Sequence, residues 1–268
     1  MARDREETCR EDVKIYRLRR AIAISMMGLI PVGALAGEGP IVPDRPGFST
    51  GTYTVEPGRL NVELGYQYAY NNDGQDRSTQ TFPLLTLRTG LSSKAELDLL
   101  WDGWNVDDAE GQASDVSVSD VSIGGKYRIR EGLAHNLTVL GLLSVPVGST
   151  PSTSDHVDPL LGLLWDRTLS DQTSLFGVVQ ASSFEFEGDR AFDAQLAIGA
   201  SFSHSDRVGT FIEVYGIVPS KSALEDTVVL DGGITYLLNS DVQLDINAGV
   251  GLNESADTFI GFGLASRL

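Results

Sequence analysis

Cysteine is almost missing from this chain: Cys9 is the only one in 268 residues. A single thiol forms no intramolecular disulfide, so a disulfide-stapled scaffold is excluded and other interactions must hold the fold. Basic residues are scarce too, 20 Lys and Arg against 37 Asp and Glu, for a formal net charge of −17. That balance repels phosphate backbones, and no nucleic-acid partner is expected. From Arg59 onward the chain also lacks any charge-free apolar run as long as a membrane-spanning helix. Against these shortages stand 29 glycines and an apolar fraction of 41%, which suit a folded chain rather than a disordered or collagen-like one.

The first 36 residues differ chemically from the rest. Lys14, Arg17, Arg19 and Arg20 precede an uncharged run from Ala21 to Ala36, which contains Pro31 and ends in Ala34-Leu35-Ala36. A basic prefix, a short apolar stretch and a small-x-small ending make a signal peptide over residues 1–36, with a retained anchor helix as the alternative. Residues 1–36 hold seven of the bases and five of the acids, so their removal leaves 13 bases against 32 acids, or −19. Cleavage also removes Cys9.

Beyond Gly58 the chain alternates apolar and polar residues with a period of two, the spacing that places each set on one face of a strand. In Arg59 to Tyr70, Leu60, Val62, Leu64, Tyr66, Tyr68 and Tyr70 oppose Asn61, Glu63, Gly65, Gln67 and Ala69. The same pattern runs through Ala95–Trp104, Asp120–Arg130, Ala191–Ser203 and Val242–Gly251. Less regular segments, Thr79–Thr89, Asn136–Val147, Asp158–Leu169, Ser174–Phe186, Val208–Val218, Thr227–Leu238 and Thr258–Leu268, bring the total to twelve. Pro83, Pro146 and Pro159 each remove a ladder donor and should lie near strand ends or bulges.

The connections alternate in length. Short ones fall at Gly90–Lys94, Glu131–His135, Ser170–Thr173, His204–Arg207 and Asn239–Asp241. Longer ones, rich in Asp, Asn, Gly and Ser, fall at Asn71–Ser78, Asn105–Asp115, Gly148–Val157, Pro219–Asp226 and Leu252–Asp257, with Glu187–Arg190 a short exception. This predicts an all-β, closed, antiparallel, up-and-down transmembrane β-barrel of about 12 strands, with tight periplasmic turns and longer outer loops. A soluble barrel with the apolar set inside has the same period. The export signal favours the membrane reading, as do Tyr68, Tyr70, Trp101, Trp104, Tyr127 and Tyr236 near strand ends, where rings meet lipid headgroups. Closure requires the first and twelfth strands to pair.

Several short stretches then become familiar. They are Asp44-Arg45-Pro46, Pro57-Gly58-Arg59 leading into Glu63-Leu64-Gly65-Tyr66, Arg88-Thr89-Gly90-Leu91, Gly124-Gly125-Lys126-Tyr127-Arg128, Ser144-Val145-Pro146-Val147-Gly148, Asp231-Gly232-Gly233 and Gly249-Val250-Gly251-Leu252-Asn253. In this order, from about Asp44 to Leu268, they resemble the phenol-degradation meta-pathway family of outer-membrane β-barrels, catalogued as transporters. The resemblance implies a porin-like protein of a Gram-negative outer membrane that passes small molecules. Its label implies an association with aromatic degradation and leaves the solute open. The chain ends Ser266-Arg267-Leu268, where a terminal outer-membrane strand ordinarily has Phe last and an aromatic two residues before it.

No reactive constellation emerges, and neither enzyme activity nor a cofactor nor a metal is expected. His135, His156 and His204 fall in or beside three separate connections, and no Ser-His-Asp or metal-ligand spacing is present. Asp107-Asp108-Ala109-Glu110 lacks the spacing of a calcium loop and reads as a solvated outer loop. The polar strand face is more informative. It carries Glu63, Glu96, Asp98, Asp102, Asp120, Asp193, Glu213, Asp231 and Asp245 against Arg88, Lys126 and Arg128. Facing a lumen, these twelve residues would favour cations or neutral solutes over anions. Alternatively they brace a filled barrel. The expected partners are outer-membrane lipid, the barrel-assembly machinery and a small solute of unknown identity. Residues 37–58, with Pro40, Pro43, Pro46 and Pro57, form no regular element; they either hang in the periplasm or enter the barrel mouth as a plug.

Overall fold

The computed structural model describes residues 39–71, 76–132, 134–186 and 188–268. The signal peptide expected over residues 1–36 lies outside them. The described chain forms β1 (Leu60–Asn71), β2 (Arg77–Ser92), β3 (Ala95–Trp101), β4 (Trp104–Ala109), β5 (Asp115–Val118), β6 (Val121–Arg130) and β7 (His135–Val145). It continues through β8 (Asp158–Ser170), β9 (Thr173–Phe186), β10 (Asp189–Ser203), β11 (Val208–Pro219), β12 (Thr227–Asn239), β13 (Val242–Gly251) and β14 (Thr258–Arg267). All pair antiparallel in one sheet, and β1 pairs with both β2 and β14, so the sheet closes.

The fourteen segments make twelve staves. The long β2 pairs with β4 over Arg77–Phe82 and with β3 over Leu85–Ser92, so β3 and β4 are two halves of one stave. Pairing of β4 with β5 and of β3 with β6 makes β5 and β6 the next stave. Pro83 falls where β2 changes partner, a place where its missing N–H breaks no ladder bond. Gly103 sits in the matching step at φ +60°, and an added Cβ would lie 2.5 Å from the Phe82 carbonyl. Only glycine suits that combination of left-handed backbone and close approach.

One connection is shorter than the sequence suggested. Asn105–Asp115 reads as an outer loop, yet most of it belongs to β4 and β5, and Asp107 and Asp108 lie on a strand. Thr79 Oγ1 donates to Asp107 Oδ1 at 2.6 Å and Thr81 Oγ1 to Asn105 Oδ1 at 2.9 Å. These cross-strand pairs stabilise an extended backbone in residues of poor strand propensity.

Exposure follows the period of two and is inverted relative to a soluble protein. Leu161, Leu196, Ile198, Ile212 and Phe262 are exposed, whereas Glu63, Glu96, Asp98, Lys126, Glu213, Asp231 and Asp245 are buried. The apolar set therefore faces lipid, and the protein is a transmembrane β-barrel. Leu196, near the middle of β10, is 59% exposed. Leu196→Arg is expected to destabilise the barrel by about 2–4 kcal/mol, the cost of a basic side chain on the lipid face near the midplane. Urea unfolding in phospholipid vesicles would measure it.

Candidate functional site: the barrel interior

The interior is occupied by residues 39–58, which run without regular structure along the inner wall. Their backbone amides find carboxylates there. Asp44 N and Arg45 N donate to Glu63 of β1 at 3.0 and 3.1 Å. Phe48 N and Ser49 N donate to Glu213 of β11 at 2.9 and 3.1 Å, and Val55 N to Glu96 of β3 at 2.5 Å. Prolines keep this stretch from forming a helix or strand of its own, so its amides need outside acceptors.

Arg88 of β2 is the centre of the polar contacts. Its side chain, 1% exposed, reaches Asp44 at 3.1 Å, Glu63 at 3.0 Å and Glu96 at 3.0 Å. It also donates to the carbonyls of Val42 and Tyr53, both at 3.1 Å. Lys126 of β6 binds Asp44 at 2.8 Å and Glu96 at 2.9 Å, and donates to the Gly51 and Tyr53 carbonyls. Five charged groups from one irregular segment and four strands thus satisfy one another away from water. Buried pairs of this kind stabilise only while complete, because removing one partner leaves the others uncompensated.

The remaining polar residues divide by neighbourhood. Asp245 of β13 pairs with Arg45 at 3.2 Å. Arg128 of β6 donates to Thr54 Oγ1 at 3.0 Å and pairs with Glu131 at 2.8 Å. Asp231 of β12 is in register with Glu213 and buried, and neither of its carboxylate oxygens has a hydrogen-bond partner among the described residues. Asp193 is half-buried in β10, opposite Ser182 and Pro219. Asp102 is exposed at the step between β3 and β4. Asp120, in the step between β5 and β6, accepts from Gly148 N at 2.9 Å and Ser154 N at 3.1 Å, so its carboxylate braces the outer connection after β7. The histidines stay apart: His156 pairs with Glu185 on the outer rim, while His204 contacts Thr210 at the opposite end.

An apolar band on the inner wall has no counterpart in the alternation-based reading. Leu140, Leu164, Val178 and Ala197 form a buried cluster, against which Phe48, Leu142, Leu160 and Tyr215 pack. The Phe48 and Tyr215 rings stack at 4.2 Å, only 7° from parallel. Its signal in the sequence is the irregularity of β7 and β8, where Leu137-Thr138-Val139-Leu140-Gly141-Leu142-Leu143 and Leu160-Leu161-Gly162-Leu163-Leu164 are apolar on both faces. Asp44, Arg45 and Phe48, which meet the wall from the irregular segment, carry no periodic signal.

At the end with the short turns, Arg267 of β14 clamps the segment to the rim. It binds Glu56 at 3.1 Å and Asp241 at 2.7 Å, and donates to the Gly39 carbonyl at 2.8 Å. The hydrogen bond from Arg267 holds the Asp241 carboxyl, in the turn between β12 and β13, below the usual aspartate range. A depressed folded-state pKa contributes stability above the unfolded value, near 4, that is lost as pH falls through the lowered folded value. Asp241→Asn should therefore narrow the difference in unfolding midpoint between neutral pH and about pH 3. Arg88→Met should cost about 3–5 kcal/mol, since the buried Glu63 would lose its ion pair and Asp44 and Glu96 would keep only Lys126. Its released segment would be read by faster proteolysis between residues 39 and 58.

Two cavities flank the segment, both bordered by Asp44, Arg45, Pro46, Gly47 and Thr50. The larger, about 380 Å³, opens toward the short-turn end among Asp166, Ser174, Phe176, Phe211 and Gln243. The smaller, about 150 Å³, lies against Glu63, Thr86, Asp98, Leu100, Leu140 and Leu142.

A family model described as "Putative MetA-pathway of phenol degradation" matches residues 43–268. Among solved structures, the COG4313 outer membrane channel from Pseudomonas putida F1 is similar with a TM-score of 0.66 at 12% identity, covering 84% of this chain and 99% of that one. The KdgM porin, solved with disordered oligogalacturonate, gives a TM-score of 0.49 at 9% identity, covering 78% of this chain and 98% of that one. No curated protein sequence matches this chain.

Proposed function

The chain belongs to the family described as "Putative MetA-pathway of phenol degradation", and from that premise we propose that this outer-membrane barrel is a channel for small solutes. The observation that carries the reading is the pair of cavities on either side of residues 39–58, inside a closed wall of twelve staves. A barrel filled by its own side chains has no room for either.

The proposed path runs along the apolar side of the segment. There Phe48 rests on Tyr215 and the leucine cluster, and its amide and that of Ser49 donate to Glu213, whereas the opposite side is held by the ion pairs of Arg88 and Lys126. Displacement is easier where backbone hydrogen bonds to one carboxylate must be broken than where a network of buried ion pairs must be broken. An aromatic stack within an aliphatic band suits small apolar or aromatic solutes. The acidic residues Glu63, Glu96, Asp98, Asp102, Asp193, Glu213, Asp231 and Asp245, set against Arg88, Lys126 and Arg128, would give the interior a preference for cations or neutral molecules over anions.

The occupied interior also supports a second reading, a non-conducting barrel that works through its surface. Planar-bilayer recordings of residues 37–268 under a salt gradient separate the two. A channel is expected to show small cation-selective currents, and deletion of residues 39–58 should raise unitary conductance severalfold while keeping that selectivity. A folded barrel that stays silent in both forms would overturn the channel reading.

A further inference from the structure

The smaller cavity is bordered by a carboxyl oxygen that the polar network leaves without a partner. Asp98 of β3 is 3% exposed, and no hydrogen-bond partner reaches its Oδ1 among the described residues. Its cross-strand neighbours offer none. Arg88 on β2 is already committed to Asp44, Glu63 and Glu96, and Gly124 on β6 has no side chain. Lys126 is likewise taken by Asp44 and Glu96. The four carboxylates Asp44, Glu63, Glu96 and Asp98 thus share two basic groups, an excess of two negative charges. A carboxylate in that position must either lose its charge or gain a counterion.

The surroundings suit a counterion. Thr86 of β2 stands in register with Glu63 and Leu100, on the same inner face as Asp98, and Thr50 enters from the segment opposite. At about 150 Å³ the cavity exceeds the roughly 30 Å³ share of one water, so a small ion fits with part of its hydration shell. Oxygen donors select hard cations. Among the described residues no three acidic, histidine or cysteine side chains converge as a metal cage, and the neighbouring Arg88 and Lys126, with Arg45 on the cavity border and paired to Asp245, disfavour a double charge.

We infer that this cavity is a binding site for a small alkali cation, sodium or potassium, held by the Asp98 carboxylate with the hydroxyls of Thr86 and Thr50. Bridging the wall to the segment, the ion completes the charge balance begun by Arg88 and Lys126. Binding requires no conduction, so it holds for an open or a silent barrel alike.

The test is the urea unfolding midpoint of residues 37–268 in detergent micelles, titrated with sodium or potassium chloride and with N-methylglucamine chloride at equal ionic strength. Only the alkali salts should give a saturable rise, because ligand binding to the folded state alone raises stability with concentration. Asp98→Asn should fold, shown by its strand circular dichroism and heat-modifiable gel mobility, and should lose the rise. Thr86→Val, which removes one ligand oxygen at similar volume, should raise the half-saturating concentration severalfold and keeps the test decisive if Asp98→Asn does not fold. An equal response to N-methylglucamine would overturn the inference. So would an unresponsive wild-type chain, as expected of a neutral Asp98, or an unchanged titration in either folded variant.

Discussion

Lipid offers no hydrogen-bond partner to a backbone, and this constraint sets the whole architecture. Pairing of β1 with β14, from Asn61 with Arg267 to Tyr70 with Thr258, joins the first stave to the last and leaves the wall without a free edge. Once the wall is closed, each strand must turn one face to lipid and the other to an enclosed space. The leucines, isoleucines and valines of the outer face need nothing further. The inner face carries the polar residues, which must find partners without bulk water.

Residues 39–58 answer that second demand. Twelve staves enclose more room than their own side chains fill, and the irregular segment brings amides, carbonyls, Asp44 and Arg45 to the acids and bases of the wall. The dependence is mutual: Glu63 and Glu213 accept backbone amides that prolines bar from regular structure, while Arg88 and Lys126 bind both segment and wall. The polar side of the interior is therefore a fastening, and the leucine cluster under Phe48 is a bearing surface. Two cavities along one segment are the features on which the proposed solute passage and the proposed cation site rest.

Much of the wall was legible in advance. The faces of β1, the count of staves and most of the long and short connections follow from a period of two and from turn composition. Misreadings fell where a local rule met a non-local partner. Asp107 and Asp108 have the composition of a loop, yet cross-strand bonds from β2 draw the first of them into a ladder. The apolar inner band of β7 and β8 hid in segments whose alternation was poor, since a strand apolar on both faces has no period to read. Asp120 fits the polar alternation but spends its carboxylate on a loop, as two backbone amides happen to fold over it.

By itself the sequence determined that this chain makes a closed, antiparallel barrel with apolar residues on one face and an acid-rich set on the other. Periodicity is a local property, and each strand states its own two faces. Tertiary structure alone decided what meets what inside. Arg45 pairs with Asp245 across 200 residues and Phe48 stacks on Tyr215. Asp98 Oδ1 is left without a donor among the described residues while the neighbours of Asp98 share Arg88 and Lys126. Such pairings depend on the register of strands distant in sequence and on the course of a segment that has no repeat, and neither leaves a period in the chain.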